Sequence, residues 1–196
     1  MSEKSKTGAV FSWAKQIILV VLLTLLISTM VIQTYDINDV SMQPTFDPQG
    51  NRVMVFLTPY IIGAAPDHGD IVIIDSRVDR ERTLLDRFNE SPVISILFGE
   101  TDEHLWVKRV IGLPGDKIEF KDGKIHRNGE ELVEKYIRGG MNNGFEPVEI
   151  PAGHIYVLGD NRNRSSDSRH IGPVPVRNVQ GRVILRFFPF NKINTY

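Results

Sequence analysis

No cysteine occurs among the 196 residues. That absence excludes disulfide scaffolds, thiolate-ligated zinc, iron–sulfur clusters and thiol nucleophiles, and it leaves the redox compartment open. An excess of one charge sign is also missing. The 23 Lys and Arg stand against 24 Asp and Glu, a formal net charge of −1, which argues against nucleic acid as a partner held by overall positive charge. There is no G-x-S-x-G elbow, no H-E-x-x-H pair, no Walker-type phosphate loop and no G-x-G-x-x-G turn. The five histidines, His68, His104, His126, His154 and His170, have no ligand-like i, i+4 spacing. No metal and no cofactor is therefore expected, although any one of these histidines can join a Ser-His-Asp triad, which needs no fixed spacing.

What is present is a foldable composition, 41% hydrophobic and 24% charged, at a length suited to one compact domain with a short appendage. The strongest local feature is Gln16 to Ile32, QIILVVLLTLLISTMVI, seventeen residues without a formal charge. Extended from Trp13 to Tyr35 it takes in Lys15 near one edge and reaches the ~20 residues that cross roughly 30 Å of hydrocarbon as a helix. A transmembrane anchor over 13–35 is the reading, with the lipid bilayer as partner. A cleavable signal peptide is the rival, but its apolar run is shorter and ends at an A-x-A-like site, whereas Gln33, Thr34 and Tyr35 follow here. Lys4, Lys6 and Lys15 precede or enter the run against the single acid Glu3, so the tail 1–12 is expected in the cytoplasm and 36–196 outside.

Beyond the anchor, short apolar runs alternate with Gly, Pro, Asn and Asp, and no sustained 3.6-residue period is seen. Strands are expected at Arg52–Leu57, Asp70–Ile74, Leu105–Ile111, Lys117–Phe120, Lys124–Arg127, His154–Leu158 and Gly181–Phe188. Asp122-Gly123 and Asn128-Gly129 sit where tight β-turns belong. The fold class is mainly β, an antiparallel sandwich or barrel-like domain behind one N-terminal transmembrane helix. Ser76–His104, with four Arg and seven acids, reads as an excursion between two strands, with a short helix over Arg80–Asn89. No obligate protein partner is implied.

Three segments carry chemical information. Val40-Ser41-Met42-Gln43-Pro44-Thr45 places a hydroxyl just past the membrane exit, where it is either a reactive group or an ordinary turn serine. In Leu105–Asp116, strand alternation puts Lys108 on a face with Trp106 and Val110, and Arg109 on the other. Both faces are otherwise apolar, so at least one cation is packed among hydrophobic neighbours. Burial lowers a lysine pKa and makes the amine a base near neutral pH; an edge-strand lysine that snorkels to water is the alternative. Leu158–Gly172 is a dense polar loop after an apolar strand, able to order an active-site wall or to stay solvated.

Taken together and in order, S-M-Q-P-T at 41–45, G-D-I-V-I at 69–73, V-K-R-V-I-G-L-P-G-D at 107–116 and G-D-N-R-N-R-S-S-D-S-R at 159–169 resemble type I signal peptidase, or leader peptidase. The size and single N-terminal span resemble its Gram-positive bacterial form. The resemblance implies a membrane-anchored serine endopeptidase that removes N-terminal signal peptides from exported preproteins on the outer face of the cytoplasmic membrane, with small-x-small residues at the cleavage site. Ser41 falls on the nucleophile and Lys108 on the general base. Ser165 matches the serine that holds the lysine amine, Asp167 and Arg169 an ion pair shaping the site, Gly159, Asp160 and Asn161 its supporting turn, and Met42 the apolar neighbour of the nucleophile. Asp39 departs from the pattern, since the family commonly has serine or glycine there. As a carboxylate it repels an oxyanion, so it is expected to point away and leave the second oxyanion donor to backbone or water. A self-cleaving SOS-type regulator shares the serine–lysine core, but the anchor and the lack of a DNA-binding region argue against it. A catalytically silent β-module that binds peptides is the reading from outside enzymology.

Overall fold

The computed structural model describes residues 3–48, 50–80, 82–83, 85–86, 104–142 and 144–196. Helix α1 (Glu3–Met30) comes first. Its side chains from Ile17 to Leu23 are 48% to 61% exposed, so this apolar stretch is left largely uncovered by the described residues. Among the described residues no helix is long and apolar enough to cross a membrane. Part of the expected anchor, 25–29, has side chains outside the described set.

The expected anchor is corrected at its far end. The helix stops at Met30, and Ile32–Ile37 forms strand β1. β-branched and aromatic residues there favour a pleated chain, and the segment pairs in unbroken antiparallel register with β2 (Asn51–Phe56), from Ile32 opposite Phe56 to Ile37 opposite Asn51. A short helix α2 (Thr58–Ile61) follows. Then come β3 (Ile71–Asp75), β4 (Leu105–Gly112), β5 (Lys117–Lys121), β6 (Lys124–Arg127), β7 (Glu130–Glu131), β8 (Val148–Glu149) and β9 (His154–Leu158). Helix α3 (Ser168–Ile171), β10 (Val174–Pro175), β11 (Val179–Phe188) and β12 (Asn194–Thr195) complete the order.

The expected mainly β, antiparallel architecture is present. One eight-stranded sheet runs β1-β2-β11-β3-β4-β9-β10, with β12 added to β11, and a four-stranded sheet runs β7-β6-β5-β8. All seven expected strands occur, with boundaries shifted by at most two residues. Asp122 and Asn128 have φ of 53° and 55°, and Gly123 and Gly129 follow at 80° and 85°. Two successive residues at positive φ are what a type I′ hairpin turn requires, which is why these two dipeptides close the β5–β6 and β6–β7 hairpins.

Every residue of β3 is buried because the large sheet is covered on both faces. Ile71 and Ile73 pack with Met42, Phe46, Val53, Val55 and Val183. Val72 and Ile74 pack on the other side with Val110, Ile155, Val157 and Val179. A third cluster, built on Ile111, Ile118, Ile125, Ile150 and Leu158, joins the small sheet to the large one. This double burial explains the uninterrupted Ile-Val-Ile-Ile run, where a half-buried strand would alternate.

The excursion leaves from β3 and returns to β4 at one point, since the Ser76 amide donates to the His104 carbonyl at 2.9 Å. Residues 81, 84 and 87–103 lie outside the described set, and with them most of the Arg80–Asn89 helix. The base of the excursion is docked by Asn178, which is fully buried. Its amide nitrogen donates to the carbonyls of Arg77 at 3.0 Å and Arg80 at 2.9 Å, and its side-chain oxygen accepts from the Arg82 amide at 3.0 Å. Replacing Asn178→Ala strands three backbone groups, one buried and two part-buried, so the urea midpoint is expected to fall by an amount equivalent to about 1–3 kcal/mol. An unchanged midpoint would contradict this role.

Candidate active site

After β1 the chain enters a single 3₁₀ turn at Val40–Met42, with Asp39 extended before it and Gln43 extended after it. The turn is anchored from inside. Met42 and Phe46 are fully buried in the first core cluster, and the Phe46 amide donates to the Met42 carbonyl at 2.9 Å. It is anchored from outside by Asn161, whose backbone amide donates to the Ser41 carbonyl at 2.9 Å and whose side chain donates to the Val40 carbonyl at 3.1 Å. Both peptide units around Ser41 are therefore fixed, and Ser41 itself is 3% exposed.

Lys108 comes from the middle of β4, opposite Val72 of β3. It is 2% exposed, and its Nζ donates to Ser41 Oγ at 2.9 Å and to its neighbour Val107's carbonyl at 3.0 Å. The Trp106 ring lies 5.5 Å from the amine, on the shared strand face that alternation predicts. Burial lowers the lysine pKa from 10.5 to about 8, against the opposing charges of Asp39, Asp167 and Asp160. In its neutral form an amine so placed is able to take a proton from the hydroxyl it touches, a chemistry that needs no histidine.

The polar loop after β9 closes around this pair. A Cβ on Gly159 would lie 2.2 Å from Ser165 Oγ and 2.6 Å from the Ser41 carbonyl oxygen, so only glycine lets the loop approach the Ser41 turn this closely. Asp160 is fully buried and holds Arg109 through two bonds, Nε to Oδ1 at 2.8 Å and Nη2 to Oδ2 at 2.7 Å, while also accepting from the Thr45 hydroxyl. Asp167 accepts from Arg169 Nε and Nη2, both at 2.8 Å, and from the Gly159 amide at 3.0 Å. Burial works to raise the Asp167 pKa, but the Arg169 hydrogen bond and charge outweigh it and hold the carboxyl below its ordinary value. A cleft of about 470 Å³ opens beside Lys108, which lines it together with Asp39, Trp106, Arg164, Ser165, Ser166 and His170. No group of acids and histidines suited to a metal ion occurs among the described residues.

The sequence family described as signal peptidase, peptidase S26, matches residues 10–188. The chain belongs to this family. It is 35% identical to signal peptidase I of Bacillus licheniformis, with 97% of this chain and 96% of that protein covered. It is 33% identical to signal peptidase I T of Bacillus subtilis (strain 168), covering 97% and 91%. It is also 32% identical to thylakoidal processing peptidase 1, chloroplastic, of Arabidopsis thaliana, covering 92% of this chain and 49% of that one. Signal peptidase I enzymes form a serine endopeptidase family, and this chain is one of them.

In this signal peptidase the structure gathers Ser41, Met42, Lys108, Gly159, Asp160, Asn161, Ser165, Asp167 and Arg169 around one point. Asp167 and Arg169 form the expected ion pair. Ser165 differs in its contacts, since among the described residues no hydrogen bond joins it to Lys108. Its hydroxyl donates to the Ser166 carbonyl at 3.4 Å and interacts with Asp167, and the amine is held by Ser41 and Val107. Asp39, expected to turn away, lines the cleft, exposed and without a capping hydrogen bond. Water can solvate the carboxylate there, and Lys108 attracts it. Sequence reasoning named Arg109 only as a cation and gave Thr45 no role, although a buried cation demands a buried acid and Asp160 was in view. Replacing Gly159→Ala forces the loop off the Ser41 backbone, so cleavage activity is expected to fall at least tenfold with a loss of about 1–3 kcal/mol in stability. Wild-type turnover in this variant would contradict the close approach.

Proposed function

We propose that this chain removes N-terminal signal peptides from exported preproteins, with Ser41 as nucleophile and Lys108 as general base. The observation that carries this reading is the buried Lys108 amine at 2.9 Å from the Ser41 hydroxyl. In the neutral form the amine takes the Oγ proton as Oγ bonds to the scissile carbonyl carbon. The resulting oxyanion is stabilised by preorganised donors, of which the Ser41 amide is one; the Asp39 carboxylate supplies none. As the tetrahedral species collapses, the Lys108 ammonium returns the proton to the departing nitrogen, the C–N bond breaks and the mature chain leaves with a free amine. An ester of the signal peptide remains on Ser41. Water then attacks it with Lys108 again as base, and hydrolysis frees the signal peptide as a carboxylic acid.

The same proposal places α1 in the bilayer as a single-pass anchor of a bacterial cytoplasmic membrane, ending at Met30 where the helix ends. Its support is the uncharged run from Gln16 and the exposure of Ile17 to Leu23, surfaces that need an apolar solvent. With Lys4, Lys6 and Lys15 on the near side, the N-terminus stays cytoplasmic and the β-domain lies on the outer face. Ser41 then sits at the outer surface, where an exported signal peptide emerges.

The test is cleavage of a purified preprotein by the detergent-solubilised full chain. Ser41→Ala and Lys108→Ala are each expected to lower kcat by about 10³-fold or more. The wild-type rate is expected to rise with pH through a limb near 8, as the amine of Lys108 becomes neutral. Full activity in either variant, or a rate that falls with pH through this range, would remove the assignment.

A further inference from the structure

Asn161 fixes both peptide units around Ser41, so the position of the nucleophile depends on what fixes the Gly159–Asn161 turn. A closed ring of side chains does so. Arg162 Nε donates to the Gly159 carbonyl at 3.1 Å, and its two terminal nitrogens donate to the two carboxylate oxygens of Glu134 at 2.8 Å and 2.5 Å. These side chains are 2% and 4% exposed. The Tyr136 hydroxyl donates to the same Glu134 carboxylate at 2.8 Å. The Tyr136 ring lies 3.9 Å from the Arg109 guanidinium, and Arg109 completes the ring through its two bonds to Asp160. Neither Glu134 nor Tyr136 belongs to a recognised motif; both lie in the segment between β7 and β8.

We propose that Glu134 and Tyr136 are positioning residues for acylation: they hold Arg162 and Arg109 on either side of the Gly159–Asn161 turn and so keep Ser41 within reach of Lys108. This rests on the reading of Ser41 as nucleophile. Without the Glu134 carboxylate, Arg162 is a buried cation with no acid paired to it among the described residues, a strongly unfavourable state that the segment relieves by moving. Room for that movement exists, because Glu134 and Arg162 border a cavity of about 330 Å³. A shift of the turn is transmitted to Ser41 through the two Asn161 bonds, and misplacement by ~1 Å lowers a rate about 10²-fold.

The experiment measures kcat and KM for a purified preprotein with the full chain in detergent, comparing wild type, Glu134→Ala, Glu134→Gln and Tyr136→Phe, with Ser41→Ala as reference. Folding is checked by near-ultraviolet circular dichroism. Folded Glu134→Ala is expected to lose about tenfold to a hundredfold in kcat with KM within about twofold. Glu134→Gln and Tyr136→Phe, which keep the shape of the ring, are expected to lose about threefold to tenfold. The pH limb is expected to stay near 8 in all three, because the burial of Lys108 in β4, the largest influence on its amine, is left untouched. A wild-type kcat in folded Glu134→Ala, a loss confined to KM, or a displaced limb would overturn the proposal while an inert Ser41→Ala left the nucleophile assignment standing. If Glu134→Ala does not fold, wild-type kcat in both shape-keeping variants overturns it. Cleavage by Ser41→Ala would remove the nucleophile and this proposal together.

Discussion

A primary amine with an ordinary pKa near 10.5 is neutral in only about one molecule in three thousand at pH 7, and a base that scarce is of little use to a serine hydroxyl. Burying Lys108 at the centre of β4 changes this, bringing the pKa to about 8 and raising the neutral fraction roughly 300-fold. The same burial works against folding. The unfolded chain binds the proton more tightly than the folded one, so stability rises with pH between about 8 and 10.5. Below that window the buried ammonium destabilises the fold by an amount on the order of 3 kcal/mol. The three apolar clusters that cover both faces of the large sheet and join it to the small one are what offset this penalty.

The arrangement of acids follows from the same requirement. Asp160 and Asp167 both raise the lysine pKa through their charge, and left alone they would return the amine to its protonated form. Each is tied by two hydrogen bonds to its own guanidinium, Asp160 to Arg109 and Asp167 to Arg169, which supplies a compensating positive charge close to each carboxylate. The ion pairs thus perform two tasks. They hold the 159–169 loop against the Ser41 turn, and they limit the negative field at the amine. Asp39 has no such partner among the described residues, but it is exposed to the cleft, where water screens it.

Much of this was legible in the sequence, for identifiable reasons. The hairpins at Asp122-Gly123 and Asn128-Gly129 are local signals, since the turn type itself demands those residues. The opposite facing of Lys108 and Arg109 follows from strand alternation alone. The partnership of Ser41 with Lys108, 67 residues apart, came from the order of motifs, because no local rule links a turn to a strand so distant. β1 was hidden by composition: Ile32 continues an apolar run that reads as helix, and only pairing with β2 makes it a strand. Glu134 and Tyr136 were invisible, because a lone acid and a lone tyrosine in an irregular segment carry no pattern until the fold sets them beside Arg162 and Arg109.

The central claim is that burial makes Lys108 a base at working pH. The direct measurement is a carbon-13 NMR titration of the lysine Cε resonances in the detergent-solubilised full chain, with Lys108 assigned by comparison with Lys108→Arg. A resonance titrating near pH 8, apart from the other lysines, is the predicted result. A Lys108 signal that titrates with the bulk of the lysines near 10.4 would contradict the account.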